Sequence, residues 1–593
     1  MRHLEIWENR ESLSILRRTM ATNRPLKVLP RSIVVLLASL SAQAIAQEAP
    51  IDAGALQRNL EIQLPSPSPL ELPTPGPTQK EIRAPKKGEA SVTVKRFELI
   101  GVKLLPEAEV QEVLQPWLDR PLTFDDLQSA CDAVETLYRT HGYMVHAIVP
   151  PQTVKDGVIS IMITEAKLGA VIIDTPDGES RFGIERAASY ITWANPAGQE
   201  LDLKAISRAI VLLNETPGVS VSSSMEAGAN DGETNLRLAL KDTPWYGATV
   251  EANNYGSKST GAAQGVVQAA LNNPLGYGDQ LTANGIYSQG SSYTQASYNF
   301  PILPNGLRGG FSGTYLNYKN VPAYQANGGY GDAWTLSASL AYPLIRSEEG
   351  NANASLRYDS KTYINFINAT DEVGSSYRIN NVNLGFSGNR YDTFLGGALN
   401  NGQINFVFGN LDLLSNNPPN YGFYTPTSYF KFSFAGNRVQ TVLPDESKLL
   451  ISLNGQLASE NLNSAEQFYL GGPYGVRAYP VAQGNGSQGA QGTIEYRHQL
   501  PFETLGIVFA DAGVVQQYVN TYTGWQGQTH ANNVYGLYGT GFGLKWNYRG
   551  MALGATIAWK LGSNPLYSYT GQPVNVDNTT TSPRGWFTAS YSF

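Results

Sequence analysis

From Trp245 to its last residue, the chain is a succession of segments about ten residues long in which apolar and polar side chains alternate. "LSASLAYP" (336–343) and "ISLNGQLAS" (451–459) show the pattern plainly. A period of two belongs to a strand with one apolar and one polar face. Sixteen such segments are found: 245–255, 261–271, 279–289, 292–300, 307–317, 333–343, 352–364, 377–388, 401–410, 427–438, 447–458, 491–500, 505–515, 537–548, 551–561 and 585–593. Alternate connections are short ("NNPLGYG", "PILPNG", "LPFE", "NYRG"), and those between them are mostly longer. A tilted strand of about ten residues crosses a bilayer. Short turns on one side and long loops on the other are the arrangement of a bacterial transmembrane barrel, with outer-membrane lipid as its surroundings. A soluble propeller or solenoid would show a fixed repeat period, and none is visible. In the last segment Phe587, Ala589, Tyr591 and Phe593 are expected to face lipid, and Thr588, Ser590 and Ser592 the lumen. Bacterial barrels commonly end on an aromatic, so Phe593 is predicted to be a signal for the barrel-assembly machinery.

Composition agrees with many strands that have one wet face. Charged residues make up only 15% of the chain, yet no long apolar run compensates, while Gly (59) and Tyr (33) are plentiful. A single cysteine, Cys131, excludes an internal disulfide and reads as a small buried hydrophobe on a helix. At the N-terminus, Arg24, Lys27 and Arg31 precede the apolar run Ile33–Leu40, and Ala44 and Ala46 form an A-x-A pattern. Residues 1–46 are therefore predicted to be a secretory signal, with Met20 as the alternative start. The remainder holds 35 basic and 46 acidic residues, a net −11, which argues against nucleic acid as a partner.

Residues 47–91 are expected to hold a short helix, Ile51 to Ile62, with Leu56 and Leu60 on one face, followed by a proline-rich linker, "LPSPSPLELPTPGPTQKEIRAPKKG". From 92 to 244 the pattern is mixed α/β and occurs twice, at 92–167 and 168–244, each time in the order β-α-α-β-β. In the first copy a helix is predicted from Glu107 to Leu118. A second begins at Thr123, with Asp126 at the capping-box position, and Gly142 is placed to end it. Two strands follow, "VHAIVPP" and "VISIMITEA". Prolines favour an edge strand because they cannot donate to a ladder.

One loop stands apart. "FYLGGPYGVRAYPVAQGNGSQG" (468–489) carries a lone arginine, Arg477, among glycines and aromatics. Its Gly484, Gly486 and Gly489 spell G-x-G-x-x-G but lack the βαβ context of a nucleotide site. His3, His141, His146, His498 and His530 are scattered without metal-ligand spacing, and no G-x-S-x-G elbow is present. No metal, cofactor, nucleotide or enzymatic activity is therefore expected.

Several long motifs resemble one family. "HGYMVHAIVPPQTVKDGVISIMITEAKLG" (141–169), "AISRAIVLLNETPGVSVSSSMEAGANDGETNLRLAL" (205–240), "NNYGSKSTGAAQGVVQAALNNPLGYGDQLT" (253–282), "LGGPYGVRAYP" (470–480) and "FADAG" (509–513) are similar to the outer-membrane transporters of two-partner secretion, the TpsB proteins that export haemolysins and adhesins. The resemblance implies two periplasmic α+β POTRA repeats, at 92–167 and 168–244, followed by a 16-stranded antiparallel transmembrane β-barrel at 245–593. It implies a pore that recognises a large TpsA-type exoprotein through its POTRA units and passes it to the cell surface. The loop from about 459 to 490, between the eleventh and twelfth strands, is implied to fold into the lumen. There Arg477, flanked by Gly475 and Tyr479, would meet Asp511 as a latch. The alternation around Asp511 does not decide which way it faces. The family usually reads V-R-G-[YF] at the loop tip, and here Ala478 replaces the glycine. Client binding is expected at Gly142, Tyr143, Pro150, Pro151 and Gln152. The alternatives are a barrel-assembly insertase of the same superfamily, which typically carries more POTRA units, and a passive porin, which has no use for the α/β array.

Overall fold

Sixteen antiparallel strands close on themselves into a barrel, the last pairing with the first. The computed structural model describes residues 52–64 and 92–593, except 326–327, 348, 419–420, 423–424, 445, 527–530 and 568–571. The expected signal at 1–46 and most of the proline-rich segment lie outside the described residues. A helix inside the barrel, α1 (Ala53–Glu61), comes first in the chain. Two α/β modules follow. The first consists of β1 (Arg96–Ile100), α2 (Glu107–Leu114), α3 (Phe124–His141), β2 (Val145–Ile148) and β3 (Val158–Glu165). The second consists of β4 (Lys167–Asp174), α4 (Ile184–Ala194), α5 (Leu203–Asn214), β5 (Val219–Ala227) and β6 (Glu233–Asp242). The barrel strands are β7 (Tyr246–Asn253), β8 (Gln264–Asn272), β9 (Gln280–Ser288), β10 (Ser291–Pro301), β11 (Arg308–Lys319), β12 (Gly329–Arg346), β13 (Gly350–Ile367) and β14 (Val373–Asp392). They continue with β15 (Ala398–Leu413), β16 (Ser428–Leu443), β17 (Ser447–Ala458), β18 (Gln488–Leu500), β19 (Thr504–Gln516), β20 (Val534–Tyr548), β21 (Met551–Lys560) and β22 (Arg584–Ser592).

Every alternating segment of the sequence contains a barrel strand, but β12 to β16 are far longer than ten residues, at 16 to 20. Only about 9–11 residues are needed inside hydrocarbon. The surplus carries outward carboxylates hydrogen-bonded to neighbouring strands: Asp332 accepts from Tyr315 and Asn317, and Asp412 from Asn380. Carboxylates on the outer face belong beyond the hydrocarbon, so these strand ends stand above the membrane.

Each α/β module has its own core beneath a three-stranded sheet, ordered β1-β3-β2 in the first and β4-β6-β5 in the second. Cys131 lies in the first core, where burial pushes its thiol up to about 11. The helix expected to reach Leu118 ends at Leu114 and tightens into a 3₁₀ turn through Trp117, because Pro116 removes a helical donor. The strand expected to run through Pro151 ends at Ile148 for the same reason.

α3 begins with a complete capping box. Asp126 donates its backbone N–H to Thr123 Oγ1, and its carboxylate accepts from the Thr123 backbone N–H at 2.8 Å. That N–H is the main reason the carboxyl sits below its ordinary range. A depressed carboxyl adds stability above its unfolded pKa of about 3.9, and the contribution is lost as pH falls through the lower folded value. Thr123→Ala is expected to cost residues 92–242 about 1 kcal/mol in urea unfolding at pH 7. Asp126→Asn should also destabilise at pH 7, but much less at pH 3. An Asp126→Asn penalty of equal size at both pH values would refute the role of the charge.

Candidate functional site

Apart from the two-residue turn between β9 and β10, the long loops gather at one end of the barrel, and the connection from β17 to β18 enters the lumen. Its tip is a tight hairpin in which Leu470 C=O accepts from Val476 N–H and Tyr479 C=O from Gly472 N–H. A Cβ at Gly475 would lie 1.9 Å from Leu470 C=O, so only glycine fits beside Arg477's turn. Ala478 takes an ordinary backbone conformation, and Gly539 of β20 leaves the room its methyl occupies. The alanine in place of the family's glycine therefore costs the turn nothing.

This turn aims Arg477 at the wall. Its Nη2 lies 2.7 Å from Asp511 Oδ1 of β19, its Nε 2.9 Å from Oδ2, and its own backbone N–H donates to the same carboxylate. Nη1 meets Glu495 of β18 at 2.6 Å, and Glu495 is held from the other side by Arg497. The guanidinium carbon sits 3.4 Å from the centre of the Phe509 ring, within cation–π range. Thr493 donates to Asp511, and the Trp586 indole donates to Arg477 C=O. Side-chain exposure is 12% for Arg477 and 1% for Asp511, so the pair is dry rather than wetted by the lumen. Breaking such a pair costs about 3–5 kcal/mol, against about 0–1 for an exposed one. Asp511 faces inward because that face of β19 is covered: Ile507, Phe509 and Val515 pack with Leu470, Val476 and Tyr479 of the loop. Both faces of β19 are thus apolar, one against lipid and one against the loop, which is why its alternation is silent. Tyr479 is fully buried, with Lys560 over its ring.

A second anchor near the start of the loop has no counterpart in the sequence reading. Glu466 is buried against the wall, 2.8 Å from Lys361 of β13 and 2.5 Å from Lys431 of β16. Asn381 donates to the same carboxylate. The available signal was two lysines in mid-strand at lumenal positions, where a buried cation needs a partner.

Between the loop and β13 lies α1. Ala53, Leu56 and Leu60 pack among Ile286, Leu316, Tyr363 and Tyr377 of the lumenal wall. Gln57 donates to Thr335 at 2.9 Å, and Asn365 accepts from Ala53 N–H. Asp52 caps the helix through Ala55 N–H and accepts from Ser464 of the loop at 2.6 Å. Helix and loop together fill the middle of the barrel.

The expected client-binding residues do not gather at one sheet edge. Gly142 ends α3 with φ +97, its C=O accepts from Leu203 N–H, and a Cβ there would strike Lys204. Tyr143 forms a β-bridge with Asp202. Both residues therefore join the two modules. Pro150 and Pro151 follow the end of β2, and the Gln152 amide exchanges two hydrogen bonds with the Ser160 backbone where β2 no longer pairs. Phe593 continues the last ladder, exchanging backbone hydrogen bonds with Ala248, with its ring exposed on the outer face.

The second module is fixed to the barrel mouth at successive turns. Arg186 donates to Gly276 C=O and stacks over Tyr277, 4.4 Å from its centre. Arg346 pairs with Glu215 at 2.5 Å, and Arg208 donates to Pro343 C=O.

The profile of the haemolysin secretion/activation protein family ShlB/FhaC/HecB matches residues 232–546, and that of the ShlB-type POTRA domain matches 92–166. A heme/hemopexin transporter protein HuxB of Haemophilus influenzae is 25% identical over 472 residues, covering 77% of this chain and 81% of the relative. The hemolysin transporter protein HpmB of Proteus mirabilis is 22% identical, covering 79% and 82%. Among solved structures, CdiB from Escherichia coli superposes with a TM-score of 0.67 at 19% identity over 93% of this chain and all of that one. The chain belongs to the haemolysin secretion/activation (ShlB/FhaC/HecB) family of POTRA-plus-barrel outer-membrane transporters.

Proposed function

We infer that the chain recognises one large TpsA-type exoprotein in the periplasm through its POTRA pair and passes it through the barrel to the cell surface. The observation that carries this reading is a lumen filled by two removable pieces of the same chain, α1 and the Arg477 loop, above a periplasmic module joined to the mouth. A passive porin keeps its lumen open, and an insertase of this superfamily typically carries more than two POTRA units. Recognition falls to the open edge of β2, which an extended client can join by main-chain hydrogen bonds without a fixed sequence. The client is a haemolysin- or adhesin-like protein, and the barrel-assembly machinery is a partner only in biogenesis, reading Phe593. Neither nucleotide nor nucleic acid takes part. The test uses residues 92–242 and the N-terminal domain of an exoprotein encoded beside this chain's gene. The folded fragment is expected to bind that domain at micromolar concentration, and cells with both full-length proteins should display the exoprotein. Absence of binding together with absence of display would overturn the reading.

A further inference from the structure

Between α1, the loop and the wall lies a cavity of about 430 Å³. It lies between Arg58 and Asn59 of the helix, Gly472 to Gly475 of the loop, and a stretch of wall. At this level β15 to β18 carry side-chain amides, and the wall's charges at Lys431 and Glu495 are paired, with Glu466 and Arg477. Asn401 pairs across strands with Asn437, and Asn454 with Gln491, while Gln403 stands between them over the cavity. Ile404, Phe434 and Leu453 alternate with these residues and face lipid, so the amides point inward. The side chains of Gln403, Asn454, Gln456 and Gln491 line the cavity itself. The wall of β9 and β10 differs: Asn284 donates to Gln295, and Thr282 and Ser297 bond each other. Elsewhere α1 packs on β11 to β13, and the loop on β19 and β20.

We propose that this amide wall is the surface along which the exported chain slides, an inference that rests on the pore reading above. A side-chain amide offers one donor edge and one acceptor edge, the same pair that every peptide group of an extended client carries. Exchange of water for wall amide and back is therefore nearly even, so the client is held weakly wherever it stands. Removal of α1 vacates a helix-wide space of about 10–12 Å. Extended strands lie about 4.8 Å apart, so one or two strands pass and a folded domain does not. The occupant is thus an unfolded polypeptide, at most a hairpin in width.

The experiment uses the full chain lacking residues 52–64, in planar bilayers. The probe is a synthetic peptide of Gly, Ser, Asn and Thr, about 40 residues long so that it outreaches the bilayer when extended. Wild-type wall should give resolved blockades. The triple variant Gln403→Leu, Asn437→Leu, Asn454→Leu should keep the open conductance but shorten blockades about fivefold, the loss of roughly one net hydrogen bond. Gln403→Asn with Asn437→Gln and Asn454→Gln should restore the dwell. Asn284→Leu with Gln295→Leu, on the other wall, should leave it unchanged. Equal shortening by the two leucine sets, or none by the wall set, overturns the proposal. A chain that forms no pore after the deletion overturns the pore reading first, and the wall falls with it.

Discussion

Arg477→Ala is expected to cut display of the exported protein at least tenfold, while a heat-modifiable barrel still reaches the outer membrane. The two effects separate because different bonds carry them. Barrel closure rests on sixteen strand pairings, none of which involves Arg477. The tip of the loop is held to the wall by this one guanidinium, shared among Asp511, Glu495 and Phe509. Its removal leaves buried Asp511 without its cation and Glu495 with Arg497 alone, a loss of about 3–5 kcal/mol against the seated loop. Tenfold corresponds to only about 1.4 kcal/mol, so most of that loss need not reach secretion for the effect to be visible. Asp511→Ala should resemble it, and the double variant should be little worse than either single, since both remove one interaction. The charge swap Arg477→Asp, Asp511→Arg should fail to restore export, because Asp at 477 would lie beside Glu495. Immunoblotting of surface exoprotein against barrel content in the same membranes decides the matter. Normal secretion by Arg477→Ala rules out the latch, and disappearance of the barrel would make the residue a structural one.

Gly54→Leu is expected to give the second large effect, a rise of roughly tenfold in the time the pore spends open in planar bilayers. A Cβ at Gly54 would stand 2.7 Å from the Tyr377 hydroxyl and 2.8 Å from the Ala465 methyl, with the Ala465 backbone nitrogen at 3.0 Å. Overpacking of this kind costs about 1–3 kcal/mol, and here the cost falls on the seated helix alone. The strands around it need not move, so the barrel should fold as before. Deletion of residues 52–64 sets the upper limit of the same measurement. Unchanged conductance in both would mean that α1 does not obstruct the pore.

The barrel was legible in the sequence because each crossing strand has lipid on one side and water or polar groups on the other. That contrast marked the position of every strand and missed the upper ends of β12 to β15, where both faces meet water and alternation stops. It was silent at Asp511 for the opposite reason, since the loop dries the inner face of β19. The Arg477 motif was visible through family resemblance, whereas Glu495 was not, because a charge in a strand does not announce which loop will cover it. The grip of Glu466 on Lys361 and Lys431 joins residues about 35 and 105 positions apart, and only closure of the barrel brings them together. Leu56 and Leu60 showed that α1 had an apolar face. They could not show that its partners would be the tyrosines and leucines of a lumen, since a barrel interior is ordinarily polar.

The attachment of α4 and α5 to the mouth has a mechanical consequence. Arg186 seizes the turn after β8, Leu212 lies against the turn at Gly306, and Arg208 and Glu215 hold the end of β12. Three hairpin turns in succession are thereby keyed to one rigid body, so that body cannot rotate about any single contact. The first six strands and the second module behave as a stator, to which the first module is joined at Gly142 and Tyr143. A client received by the first module is therefore presented to the lumen from one fixed bearing, like thread through the eye of a clamped needle.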